Sequence, residues 1–141
     1  MTGAAEHDAL PEAIPDTLAD LDPRIATASA YRPPELPHRR VLVMRRWPRG
    51  VARARIDEWL RELGPSDALL QGYRAGEVDW SAFASAYLAE VASQAESVDR
   101  LARMAREGGV VLLCGSHWPC HRALLAPLVG QRLADLEGRG S

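Results

Sequence analysis

The chain has no lysine, and all 17 of its basic residues are arginine. That absence removes mechanisms built on a lysine amine, from Schiff bases to the lysine of the usual phosphate-binding loop. Cysteine is scarce, with two residues, so a hydrophobic core rather than a disulfide scaffold must carry the fold. Long apolar runs are missing. The longest, Val110 to Cys114 and Ala123 to Val129, fall far short of the roughly 20 residues that span a bilayer. Met1 to Asp8 lacks a basic segment followed by an apolar one, so no secretory signal is expected. A cytoplasmic location follows as an expectation, with the two cysteines as thiols, ligands or redox groups rather than a structural bridge. Excess charge is absent too. The 17 basic and 19 acidic residues give a net charge of −2, so nothing draws the whole chain to nucleic acid or membrane.

What is present suits one globular domain. The 141 residues are 47% hydrophobic and 26% charged, close to globular averages. Residues 1–24 read as a weakly structured lead-in, punctuated by Pro11, Pro15 and Pro23, in which Ile14, Leu18 and Leu21 could form one amphipathic turn. Residues 25–136 form the domain, and 137–141 a Gly-rich flexible tail.

Within the domain, Ile25 to Tyr31 reads as a short strand. Val41 to Met44 and Val110 to Leu113 are apolar at every position, the signature of central parallel strands covered on both faces. Ile56, Trp59, Leu60 and Leu63 recur with helical spacing, which predicts a helix from about Ala52 to Leu63. Ser66 and Asp79 are positioned to cap two further helices, and Ser93-Gln94-Ala95-Glu96 has the form of a capping box. A last helix is expected from about Pro119 or Cys120, kinked or broken at Pro127. Apolar strands separated by helices imply an α/β fold: a small, mostly parallel sheet flanked by helices, Rossmann-like and three-layered.

Two strand-to-helix junctions carry the reactive side chains. One is Arg45-Arg46-Trp47-Pro48-Arg49-Gly50; the other runs from Cys114 to Arg122 and includes His117, Trp118, Cys120 and His121. If their strands are parallel neighbours, both open onto one edge of the sheet, where ligands of open α/β folds bind. Cys120, His121 and Arg122 would then lie in the first turn of a helix, near the positive end of its dipole. A thiolate is favoured there, with His121 and Arg122 adding to the effect beside Cys120, which makes Cys120 the reactive candidate, His121 a proton carrier and Cys114 a shielded partner. The spacing Cys114, His117, Cys120, His121 also offers ligands for zinc or iron. Arg45, Trp47, Arg49 and Arg122 are candidates to hold an anion. Seven arginines and no acid fall between Arg39 and Arg55. They read either as an anion surface or as a solvated face paired with Asp57, Glu58 and Glu62.

Tyr31-Arg32-Pro33-Pro34 and Val41 to Gly50 resemble the YeaO-like family of uncharacterised bacterial proteins, a domain-of-unknown-function family. Further matches are Trp59 to Ser66, Trp80 with Phe83, Tyr87 to Glu90, Cys114 and the Cys120-His121-Arg122 triplet. The resemblance implies a compact α/β fold and one common site, and no established reaction. The chain departs from the family at Met44, where an Asp is usual, and in a shorter loop after Cys114 that lacks an acid.

Three functional readings stand at this point. The first is a binding protein for a small anionic molecule, or an enzyme using a Cys120 thiolate on one. The second is a metalloprotein, zinc- or iron-bound or haem-linked, built on Cys114, Cys120 and the histidines. The third, for which the net charge gives little support, is a nucleic-acid or protein interaction module. The sequence leaves oligomeric state open.

Overall fold

The computed structural model describes residues 22–115 and 120–140. The elements are β1 (Ile25–Ser29), β2 (Arg39–Leu42), β3 (Glu58–Trp59), α1 (Asp67–Arg74), α2 (Trp80–Val91), α3 (Ala95–Arg106), β4 (Val110–Cys114) and α4 (Arg122–Gly140). The four strands form one sheet in the order β1-β4-β2-β3, and every pairing is parallel. The fold is a single α/β domain, as the sequence predicts. The expected lead-in, apart from its last three residues, lies outside the described residues. Helix α4 continues to Gly140, through positions expected to begin a tail.

β4 sits at the centre because its five residues are all buried. Val41 pairs with Leu112 and Leu42 with Leu113, while Ile25 pairs with Val110 on the other side. Alternation along these strands divides the core in two. Val41, Val43, Val110 and Leu112 face the helices and pack with Tyr87, Leu101, Leu125 and Leu133. Leu42, Val111 and Leu113 face the opposite way, onto Val51, Ile56, Trp47 and Trp59. The second covering layer is therefore the 44–59 segment, with its short 3-10 turn at Arg53–Arg55, rather than an α-helix. Each fully buried Val or Leu contributes about 1.5–3 kcal/mol.

That arrangement corrects the helix expected from Ala52 to Leu63. Its four apolar residues do not share a face. Leu60 and Leu63 join the helix-side core, and Ile56 and Trp59 the opposite one. Glu58 and Trp59 instead pair with Val41 and Leu42 as an edge strand. The tertiary contacts are specific. The Trp59 indole N–H donates to the Met44 carbonyl at 2.7 Å, and the Arg61 guanidinium lies 4.0 Å from the Trp59 ring centre.

The helix ends follow local chemistry. Ser66 Oγ accepts from the Leu69 N–H, and Asp79 from the Ala82 N–H at 2.8 Å, capping α1 and α2. Glu90 of α2 accepts from both the Ser66 N–H and hydroxyl, at 2.9 and 2.5 Å, which fastens the two helices together. The capping box does not form: the residue before α3 is Gln94, without a side-chain cap, and the Ser93 hydroxyl turns back to the Glu90 carbonyl. Helix α4 is not broken at Pro127. It is tied to α3 by an ion pair between Arg132 and Asp99.

Candidate functional site

Both junctions do open onto one edge. β2 and β4 are adjacent and parallel, so the chain leaves them side by side. The Val43 N–H still donates to the Leu113 carbonyl at 2.9 Å, carrying the pairing one residue past β2. Beyond that point a cavity of about 1080 Å³ opens. Its wall includes Arg45, Arg46 and Trp47 from the first junction and Cys114, Gly115, Cys120 and His121 from the second. Helices α1 and α2 close the other side with Tyr73, Arg74, Trp80 and Phe83. A smaller groove of about 520 Å³, near Leu88, Leu128 and Arg132, has no cysteine or histidine in its wall.

The second junction holds a disulfide. Cys114 and Cys120 are bonded to each other, which corrects the expectation of two thiols. In this state neither sulfur is a nucleophile or a metal ligand, because only the thiolate serves as either. Cys114, at the end of a buried strand, is 1% exposed, and Cys120 is partly exposed. His117 and Trp118 lie outside the described residues. Cys120 and His121 precede α4, which begins at Arg122 rather than at Pro119 or Cys120. Their carbonyls accept the first N–H groups of that helix, from Ala123 and Leu125.

Arg122 is the cation nearest the bridge. It is 7% exposed, and its Nη1 lies 3.0 Å from Cys114 Sγ, 3.8 Å from Cys120 Sγ and 3.2 Å from the Gly115 carbonyl. Burial lowers its pKa to about 10, so it stays charged at neutral pH. It serves Cys114 more closely than Cys120, the reverse of the sequence expectation. Arg122 does not line the cavity.

His121 is also buried. Its Nε2 lies 2.5 Å from the Val43 carbonyl oxygen, which can only accept, so this nitrogen carries the proton. Burial lowers the pKa to about 4, the Val43 bond raises it, and the Arg122 charge lowers it. The imidazole is therefore neutral at physiological pH. It adds no positive charge beside Cys120, contrary to the expectation, and its Nδ1 is the nitrogen with a lone pair. Cys114, Cys120 and His121 present ligand atoms within 4.8 Å of one another. They could gather on one metal ion only after the bridge is reduced.

The first junction is more engaged in structure than its composition suggests. Arg45 donates to the Gly64 and Pro65 carbonyls at 2.8 and 3.0 Å. Gly64 packs so closely here that a Cβ would stand 2.3 Å from the Arg45 nitrogen. The exposed Arg46 pairs with Asp67 at 2.9 Å. The Trp47 indole donates to Val51, meets Trp59 edge-on at 5.4 Å between centroids, and carries Arg53 over its face. Arg49 is exposed and outside the cavity wall. The pairing proposed for the arginine run is also different. Glu58 binds Arg100, Glu62 accepts from Ser97, and Asp57 accepts from the Arg40 N–H.

The cavity wall thus keeps Arg45 and Trp47 of the expected anion residues, and lacks Arg49 and Arg122. It adds an aromatic cluster that the sequence does not bring together. Tyr73 and Phe83 stack at 4.7 Å, and Trp80 leans on both. The one sequence signal was the spacing of Trp80 and Phe83 on a single helix.

No helix among the described residues is long and apolar enough to cross a membrane. No solved structure matches the chain. The YeaO protein of Escherichia coli K12, itself described as uncharacterized, is 38% identical over 76 residues, which make up 52% of this chain. The match spans 66% of that protein, just under two thirds of its length. The sequence profile of the family DUF488-N3a, described as the active DUF488-N3 subclade, matches residues 24–133. The chain therefore belongs to DUF488-N3a, within the YeaO-like proteins of unknown function.

Proposed function

We propose that the cavity binds a small anionic molecule and that Cys120, when the bridge is reduced, is the group that reacts with it. One observation carries this reading: a single cavity has both Arg45 and Arg46 and the Cys114–Cys120 pair in its wall. Arg74 adds a third guanidinium against the acids Asp67 and Asp79. Arg46 offsets Asp67, and Asp79 keeps its charge while capping α2, so the three guanidiniums exceed the two carboxylates by one. The balance of the wall is thus positive. Cys120 is partly exposed and Cys114 buried, which favours Cys120 as the sulfur that a ligand meets. A pair that cycles between bridge and thiols suits a cytoplasm rich in small thiols.

The test is charge selectivity in alkylation. Reduced protein is treated with iodoacetate and with neutral iodoacetamide, and peptide mass spectrometry follows Cys120. An anion-attracting wall should raise the iodoacetate-to-iodoacetamide rate ratio roughly tenfold above that of a model thiol at low salt. Added salt should shrink the gain. A ratio equal to that of the model thiol refutes the reading.

A further inference from the structure

The cavity wall combines a positive balance with a disulfide, and the bridge's two sulfurs are not equivalent. Cys120 is partly exposed, whereas Cys114 is 1% exposed and lies closer to the Arg122 guanidinium, at 3.0 against 3.8 Å. We propose that the ligand is itself an anionic low-molecular-mass thiol, which exchanges with the bridge by entering at Cys120 and expelling Cys114 toward Arg122. This rests on the anion-binding reading and names its substrate class.

The chemistry balances with that thiol as the sole reductant. Its thiolate attacks Cys120 Sγ along the disulfide axis, forming a mixed disulfide. The Cys114–Cys120 bond breaks, and its electron pair leaves on Cys114 as a thiolate. The Arg122 guanidinium receives that charge, the kind of cationic partner that makes a sulfur a better leaving group. A second thiolate attacks the small-molecule sulfur of the mixed disulfide and releases Cys120. Two small thiols become one small disulfide, and the protein gains two electrons and two protons. The reverse sequence re-forms the bridge. Attack in the other sense, at Cys114, is disfavoured twice over: that sulfur is buried, and the charge would leave on the sulfur farther from Arg122.

The experiment uses the oxidised full-length chain with two thiols that differ in the group remote from sulfur, mercaptoethanesulfonate and neutral β-mercaptoethanol. Opening is followed by mass spectrometry after acid quench. Normalised to a model disulfide, the sulfonate should open the bridge roughly tenfold faster at low salt. Arg74→Ala should lower that preference, and the first adduct should sit on Cys120. Arg122→Gln should slow opening by both thiols while leaving their ratio intact, and Arg122→Lys should restore the rate. Arg122 is a positioning residue for the leaving sulfur, and this split between rate and preference would not follow from a merely structural role. If Arg122→Gln does not fold, the two single variants decide the polarity: treated with the small disulfide, Cys114→Ser should form its adduct on Cys120 at least roughly tenfold faster than Cys120→Ser forms one on Cys114, and equal rates overturn the assigned order of attack. Equal normalised rates for the two thiols, or first adducts on Cys114, overturn the proposal. Failure here with the iodoacetate preference intact removes only the thiol substrate; loss of both removes the anion reading as well.

Discussion

The protonation of His121 should govern stability on the mildly acidic side of neutrality. The ring is 6% exposed, its Nε2–H is spent on the Val43 carbonyl, and Arg122 follows it in the chain. Its pKa falls from 6.5 to about 4 on folding, chiefly through burial. The unfolded chain therefore binds a proton that the folded chain refuses, and stability must drop as pH falls between those values. The contribution is complete above about pH 7 and is lost progressively down to about pH 4, where it levels off. A shift from 6.5 to about 4 corresponds to about 3 kcal/mol in all. About 2 kcal/mol of that is gone by about pH 5. The lowered carboxylates lose their contributions at lower pH, since Asp22 titrates near 2 and Glu58, Asp67 and Glu137 all lie below the ordinary value of their type. The assay is urea unfolding of the oxidised protein between about pH 8 and about pH 5, with His121→Gln as the control. The variant keeps an N–H for the Val43 carbonyl and cannot titrate, so its profile should be nearly flat over the same range. A wild-type profile that is flat, or a His121→Gln profile as steep as wild type, refutes the reasoning.

Tyr87→Phe keeps the buried ring but deletes the hydroxyl that donates to the Leu63 carbonyl at 2.6 Å, leaving that acceptor unpaired. Urea unfolding should show a loss of about 1–3 kcal/mol, and an unchanged midpoint would mean the carbonyl finds another partner. Gly64→Ala drives a Cβ into the Arg45 backbone at 2.3 Å; a cost of about 1–3 kcal/mol is expected, and a fully stable variant would contradict the close approach of these segments. Reducing the bridge, which closes a loop across a sequence separation of 6, should lower stability by about 2 kcal/mol through loop entropy. Dithiothreitol with and without the Cys114→Ser, Cys120→Ser double variant measures it, and a bridge-independent urea midpoint counts against any restraint by the bridge.

Sequence and structure agree where the pattern is local and part where it is not. An unbroken apolar run such as Val110 to Leu113 admits one economical placement, a strand buried on both faces. A second run at Val41 to Val43 makes the pair. The meeting of the two junctions at one edge follows from those runs alone. The segment 56–63 defeats the same reasoning because apolar residues three and four apart fit a helix stripe equally well as a two-residue strand between tight turns. What decides is the partition of Trp59 to one core and Leu60 to the other, which no periodicity encodes. Arg45 looks like an anion ligand until the Gly64 and Pro65 carbonyls, 19 and 20 positions away, claim part of its donor set. The bridge is hidden for another reason. Cysteines six apart across a strand-to-helix turn can be thiols or a disulfide, and only the three-dimensional path of the chain distinguishes them. The same path makes the two sulfurs unequal. β4 buries Cys114, the chain before α4 leaves Cys120 partly exposed in the cavity wall, and the first residue of α4 brings its guanidinium to the buried one. Polarity of this kind is a property of the turn as folded, since in the sequence alone Arg122 stands nearer to Cys120.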